Sequence, residues 1–230
     1  MSQINSVSLT ESQTDVQAFM SRVYLWMASA LMVTAVVSAA VAANPRFQLQ
    51  LIQSPLFMIL LIGELGVVFV LSLLIKRLSA IAATILFFAY AALNGVTLSI
   101  IFMLYTDASI TATFGVTAGT FALMSVIGYF TKMDLTRLGG FLLMGLIGLV
   151  LGSIVNLFLQ NSAIYWIITY AGILIFVGLT AYDTQKLKRM AEGGLSGEVE
   201  HKASILGALT LYLDFINLFL MLLRVMGRRR

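Results

Sequence analysis

The chain has 230 residues, of which 60% are hydrophobic and 10% charged, and its formal net charge is +4. Water-soluble domains carry about 25% charged residues, so this composition excludes a soluble globular protein and favours a membrane protein. The sequence has no cysteine, which excludes disulfides and thiolate metal sites. Its single histidine, His201, cannot build a zinc site alone, and we expect it to be solvated.

Seven stretches of the sequence are long and apolar enough to cross a bilayer, since a spanning helix needs roughly 20 apolar residues. In chain order they cover about 22–43, 55–75, 79–104, 109–130, 139–159, 164–182 and 204–223. The pattern predicts an all-α membrane protein, a seven-transmembrane helical bundle. It comprises a flexible polar tail at 1–20, a transmembrane domain at 21–227 and a basic tail at 228–230.

Lysine and arginine are concentrated in the connections on the N-terminal side of the membrane. Because basic residues favour the cytoplasmic side, the N-terminus is predicted to be cytoplasmic. The basic tail at 228–230 argues the other way, since seven spans place it outside. Three alternatives remain open: an exported tail, a re-entrant last segment, or an inverted chain. The same scattered charge gives no patch that would bind nucleic acid.

Small residues recur at helical spacing in two of the predicted spans. Gly115 and Gly119 lie four residues apart in the fourth span, and Gly148 and Gly152 do so in the fifth. Such spacing lets helix backbones approach closely. We therefore predict that these glycines pack inside the bundle.

The last span carries a polar face within an apolar sequence. Thr210, Asp214, Asn217, Met221 and Arg224 follow a spacing of four, three, four and three, which places them on one side of a helix. This face must look inward, which predicts that the last helix is central to the bundle. A carboxylate such as Asp214 costs about 2.5 kcal/mol or more at mid-bilayer, so it needs a partner, a proton or water.

Asp183, at the end of the sixth span, is the nearest candidate partner for Asp214. It has two interpretations: a boundary residue solvated by lipid headgroups, or one member of a functional pair. Two carboxylates close together in a medium of low dielectric constant do not both ionise readily, and they would share a proton. Arg77, at the end of the second span, is a cation that could stabilise their anions.

The same pair could bind Ca²⁺, a hard cation that prefers oxygen ligands, and Asp183 and Asp214 are the candidate metal ligands. No other cofactor is expected. Other polar side chains within the spans are candidates to support this site: Glu64, Asn94, Thr210 and Asn217.

Three segments resemble the Bax inhibitor family, the transmembrane Bax-inhibitor-motif proteins. They are Ala181-Tyr-Asp-Thr-Gln-Lys186, Ala208-Leu-Thr-Leu-Tyr-Leu-Asp-Phe-Ile-Asn-Leu-Phe219 and Asn94-Gly-Val-Thr-Leu98. The resemblance covers roughly residues 20–227 and favours the bacterial inner-membrane branch. It implies seven helices with the last surrounded by the other six, and a multi-pass inner membrane protein. It also implies a pH-sensitive Ca²⁺ leak, with Asp183 and Asp214 as the proton-sharing sensor and Arg77 as the latch of the closed state.

The sequence therefore favours a pH-sensitive cation leak channel whose expected partners are Ca²⁺ and protons. In this channel, protonation of the aspartate pair changes its attraction to Arg77. The alternative is a non-catalytic modulator of membrane proteases or of membrane quality control. An intramembrane aspartyl protease is less favoured, because Leu211-Tyr-Leu-Asp214 replaces its Gly-x-Gly-Asp pattern. Phosphate-loop, metalloprotease and serine-hydrolase motifs are absent, so we do not expect an enzyme.

Overall fold

The computed structural model describes the backbone of residues 2–230 and the side chains of residues 14–230. Its helices are α1 Ser2–Ala42, α2 Pro45–Gln53, α3 Pro55–Leu74, α4 Ala80–Leu98, α5 Ile101–Leu104, α6 Asp107–Phe130, α7 Thr136–Leu159, α8 Ser162–Glu192 and α9 Gly197–Met226. Seven segments of the described chain are long and apolar enough to span a membrane, with α4 and α5 together forming the third. The predicted all-α membrane fold is confirmed.

Local side-chain chemistry sets where several helices begin. Pro45 and Pro55 occupy first-turn positions of α2 and α3, where a missing backbone N–H costs nothing. The hydroxyls of Ser79 and Thr106 accept hydrogen bonds from backbone N–H groups in the first turns of α4 and α6. Each of these groups would otherwise lack a partner at the helix N-terminus.

The last two long helices extend well beyond the apolar stretches that predicted them. Polar residues end the apolar stretch near 182, but helix α8 continues to Glu192. Gly193 and Gly194 follow it, and Gly194 has a φ of +77°, a conformation that suits glycine and ends the helix. The connection to α9 is therefore only 193–196. Asp183 lies nine residues before the end of α8 and is buried, so its interpretation as a boundary residue solvated by headgroups is wrong.

His201 is also placed differently from the prediction. It lies within α9 and is half-buried, not in a solvated connection. Its Nε2 atom is 3.2 Å from the Thr84 hydroxyl oxygen, and its ring meets the Trp26 ring edge-on at 5.8 Å between centroids. The extension of α9 toward its N-terminus explains the difference, since it brings His201 into the packed part of the chain.

The chain forms two compact units. The first contains Met1–Leu104, Arg189–Tyr212 and Arg230, and in it α1 and α4 come close together. A Cβ atom added at Gly95 would lie 2.8 Å from the Thr34 carbonyl oxygen, so this contact requires glycine. Val16, Phe19 and Met20 are buried, so packing begins before residue 21. The flexible tail predicted at 1–20 lies largely outside the residues with described side chains and stays a prediction.

The second unit contains Tyr105–Lys188 and Leu213–Arg229. Its apolar core joins α7, α8 and α9 through Leu149, Phe176 and Leu218, which are 7%, 5% and 0% exposed. Phe215 of α9 packs edge-on against two phenylalanines of α6, and the nearer pair of ring centroids is 5.3 Å apart. Among the seven spans of the described chain, α9 has the largest buried share of its apolar window, at 61%.

The predicted glycine contacts are wrong at three positions. A Cβ atom at Gly115, Gly119 or Gly148 would meet no described atom within 4 Å. In these two helices the close approaches lie instead at Gly128 of α6 and at Gly139 and Gly145 of α7. At Gly128 the neighbour is the Ala181 backbone of α8, two residues before Asp183. The small-residue spacing alone does not show which side of a helix faces a neighbour.

The C-terminal tail pairs with the connection that precedes α6. Tyr105 and Arg229 form an antiparallel bridge, and the Thr106 N–H donates to the Arg228 carbonyl at 3.0 Å. Residues 197–226 form one continuous helix of 30 residues, so the last segment is not re-entrant. An exported tail and an inverted chain remain as the two possible orientations.

We expect a reporter fused after Arg230 to be active on the non-cytoplasmic side, because the connections between spans place most Lys and Arg at the N-terminal side. A fusion to alkaline phosphatase at this position reports the non-cytoplasmic side, and a fusion to green fluorescent protein reports the cytoplasmic side. A fluorescent C-terminal fusion with inactive phosphatase would contradict the orientation.

Candidate aspartate pair site

Asp183 of α8 and Asp214 of α9 lie together in the second unit. Their carboxyl groups are close enough to interact with each other. Asp183 is 7% exposed and Asp214 is 5% exposed. The structure therefore brings together the two acids that the sequence predicted as a pair.

The surroundings of the pair follow from helical spacing. Leu179 lies one turn before Asp183 in α8, and Leu218 lies one turn after Asp214 in α9. Both leucines belong to the apolar core of the second unit. Apolar side chains thus line the two helices on the side of the pair, and they leave little water to solvate a charge.

A hydrogen bond between two carboxyl groups requires a proton on one of them, because an ionised carboxylate can only accept. The arrangement therefore fits a pair that holds one shared proton and a single negative charge. The Asp214 Oδ2 atom is buried and has no hydrogen-bond partner among the described residues.

Lys186 and the predicted latch Arg77 are the two cations to compare at this site. Lys186 follows Asp183 by one turn of α8 and acts on it electrostatically, although its own side chain is exposed. Arg77, the predicted latch, is exposed in the turn after α3 and belongs to the first unit. Its role as a latch stays a prediction.

Gln185, two residues beyond Asp183, fixes α8 to the connection between α6 and α7. Its Nε2 donates to the Met133 carbonyl at 2.8 Å, and its Oε1 accepts from the Leu135 N–H at 2.9 Å. Sequence analysis missed this residue, which is 5% exposed. The only available signal was a long polar side chain beside Asp183 on a helix with apolar spacing.

Replacing Gln185 with Ala is expected to lower the free energy of unfolding by about 1–3 kcal/mol, because two backbone groups lose their partners. Thermal melting in detergent measures the change. Gln53→Ala, at an exposed position of α2, is the control and should leave stability unchanged. Equal melting temperatures for both variants would contradict the assigned role.

The other predicted polar residues do not hydrogen-bond to the pair. Thr210 and Asn217 donate to the carbonyls of Leu206 and Leu213 in their own helix, at 3.0 and 2.8 Å. Such bonds satisfy a polar group inside a helix without a second element. Their assignment as supporting ligands stays a prediction.

Glu64 and Asn94 meet each other in the first unit. The Asn94 Nδ2 donates to Glu64 Oε2 at 3.2 Å, and the Thr97 hydroxyl donates to Glu64 Oε1 at 2.7 Å. Within residues 14–230, no three carboxylate or histidine side chains come together as a metal site. Asp183 and Asp214 remain the candidate Ca²⁺ ligands as a two-carboxylate set.

Comparison with known proteins shows the family to which the chain is similar. The family model described as "Inhibitor of apoptosis-promoting Bax1" matches residues 16–230. The Inner membrane protein YbhL of Escherichia coli strain K12 is 51% identical over 228 residues, covering 98% of this chain and 97% of that protein. An uncharacterized protein of Deinococcus radiodurans is 45% identical over 98% of both chains. One of Borreliella burgdorferi is 41% identical over 97% of this chain and 99% of that protein.

Seven apolar helices and these relatives place the protein in the bacterial inner membrane, as a multi-pass protein. The family model covers nearly the whole chain and includes every residue of the aspartate pair site. The chain therefore belongs to the Bax inhibitor family.

Proposed function

We propose that this protein is a pH-sensitive cation leak channel in which Asp183 and Asp214 sense pH. The observation that carries the proposal is the pairing of two buried, interacting carboxyl groups within membrane-spanning helices. Acidic groups inside a membrane are rare and are typical of ion or proton pathways. The resemblance to the family supports Ca²⁺ as the ion.

The direction of the pH effect follows from the charges of the pair. The packed arrangement contains the shared proton, so it is favoured while that proton is bound. Raising the pH removes the proton and leaves two like charges against apolar neighbours. Their repulsion shifts the population away from the packed state.

Competition between protons and cations acts in the same direction. The deprotonated pair offers carboxylate oxygens, the ligands that Ca²⁺ prefers, and each added proton removes part of that attraction. We therefore expect cation flux to rise with pH. One proton can change the ratio of two states by at most about tenfold per pH unit, which sets the steepness of the response.

The test is Ca²⁺ entry into proteoliposomes that contain a fluorescent Ca²⁺ indicator, measured from about pH 5 to about pH 8, a range that a perturbed carboxyl pair can cover. Protein-free liposomes are the control, and Mg²⁺ and K⁺ test selectivity. Flux that rises with pH supports the proposal. Flux equal to that of empty liposomes at every pH would contradict it.

An intramembrane aspartyl protease would use a similar pair of acids, but it must admit a peptide and a water molecule to them. The burial of both carboxyl groups and the missing Gly-x-Gly-Asp pattern argue for the channel. Incubation with a labelled transmembrane substrate separates the two, since only the protease would cleave it. Modulation of membrane proteases by this protein stays a prediction.

A further inference from the structure

A second buried carboxyl group lies in the first unit, separate from the aspartate pair. Glu64 is at the middle of α3 and is 8% exposed. No lysine or arginine of the described residues forms an ion pair with it; its hydrogen-bond donors are neutral. A carboxylate without a cation is costly inside a membrane, and a proton is one way to remove that cost.

Glu64 is the end of a chain of hydrogen bonds that crosses four helices. Asn94 of α4 donates to Glu64 at 3.2 Å, and its Oδ1 accepts from the Tyr212 hydroxyl of α9 at 3.1 Å. The Tyr212 hydroxyl lies 2.7 Å from the hydroxyl of Thr34 in α1. Tyr212 is fully buried and Thr34 is 4% exposed, so water does not compete readily for these groups.

The direction of this chain is fixed by the charge on Glu64. Thr97 and Asn94 both donate to the Glu64 carboxyl oxygens, as an ionised carboxylate requires. Tyr212 then donates to the Asn94 amide oxygen, which leaves its own oxygen to accept from Thr34. Every donor in this state points toward Glu64.

A protonated Glu64 allows the opposite direction with no polar group left unpaired. Its O–H would donate to the Asn94 amide oxygen after a rotation of the amide, and the Asn94 N–H would donate to Tyr212. Tyr212 would then donate to Thr34. The Thr34 hydroxyl has an alternative acceptor ready, the Ala91 carbonyl at 2.8 Å.

We infer that Glu64 is a second proton-binding site, and that its proton reverses the hydrogen bonds running through Asn94 and Tyr212 to Thr34. Among residues 14–230, the titratable side chains that interact electrostatically with Glu64 are Tyr90 of α4 and Tyr212 of α9, whose rings pack edge-on at 5.6 Å between centroids. Tyr212 also lies two residues before Asp214 in α9. The inference concerns proton binding and does not depend on ion conduction.

The experiment is infrared difference spectroscopy of the full-length protein in lipid, between acidic and alkaline pH. Asp183→Asn/Asp214→Asn removes the pair, and Glu64→Gln is then added to that background. Subtracting the two difference spectra isolates Glu64. We expect one carbonyl band of a protonated, buried acid, which is lost with Glu64→Gln and kept with the control Glu198→Gln, an exposed acid. A subtraction without such a band at any pH would overturn the inference.

The reversal of the hydrogen bonds between Glu64 and Thr34 has its own spectroscopic readout. This readout also tests the inference if the Glu64→Gln variant does not fold. In the Asp183→Asn/Asp214→Asn protein, a tyrosine C–O band should shift at the same pH as the carboxyl band, because Tyr212 changes its acceptor. Tyr212→Phe should remove this shift. A carboxyl band that titrates with no accompanying tyrosine shift would contradict the reversal. Neither band reports ion flux, so loss of the proposed channel function would leave both results unchanged.

Discussion

Replacing Asp214 with Asn is expected to abolish the pH response of cation flux. The asparagine amide is nearly the same size and donates a hydrogen bond to the Asp183 carboxylate without needing a proton. The variant should therefore stay in the packed state at every pH. At alkaline pH, once the wild-type pair has lost its proton, flux should be about tenfold or more below wild type, the change that one proton can produce over one pH unit.

Two further variants make this result specific. Asp134→Asn changes an exposed acid whose carboxylate accepts from the Thr136 N–H and hydroxyl, and it should keep the wild-type response. Asp214→Ala removes the hydrogen bond together with the charge and should not hold the packed state. A wild-type pH profile for Asp214→Asn would contradict the assignment of Asp214 as a sensor.

Replacing Gly128 with Ala is expected to cost about 1–3 kcal/mol of stability, the usual cost of overpacking, and Gly128→Leu should cost more. The added Cβ atom would overlap the Ala181 backbone of α8, which cannot rotate away as a side chain can. The two helices would have to separate beside Asp183. Chemical denaturation in mixed micelles measures the loss.

Gly119→Ala is the matched control, because it lies in the same helix with no described atom within 4 Å of the new Cβ atom. Its stability should stay within about 0.5 kcal/mol of wild type, as for other exposed substitutions. Equal destabilisation by the two substitutions would mean that Gly128 is not a contact between α6 and α8.

The positions of the spans could be predicted from sequence because apolar length is a direct consequence of bilayer thickness. The ends of α8 and α9 could not, because polar residues end an apolar stretch without ending a helix. Gly193 and Gly194 end α8, and the residues before them keep helical spacing. Asp183 is consequently deeper in its helix than the hydropathy pattern indicated.

The acids of the candidate site could be predicted because a charge within an apolar stretch is costly and therefore indicates a functional residue. Their contacts depend on helix packing. The sequence grouped Glu64 with Asp214, whereas the structure joins Glu64 to Asn94, Thr97 and Tyr212. Gly115 and Gly128 look alike in sequence, but only the second faces a neighbouring backbone.

The proposed pH response requires that Asp183 and Asp214 titrate as one unit. The direct measurement is the pH profile of Ca²⁺ flux for wild type, Asp183→Asn, Asp214→Asn and the double variant. If one shared proton sets the response, each single substitution removes it completely and the double variant adds nothing. Single variants that each keep part of the response, with loss only in the double variant, would contradict the claim.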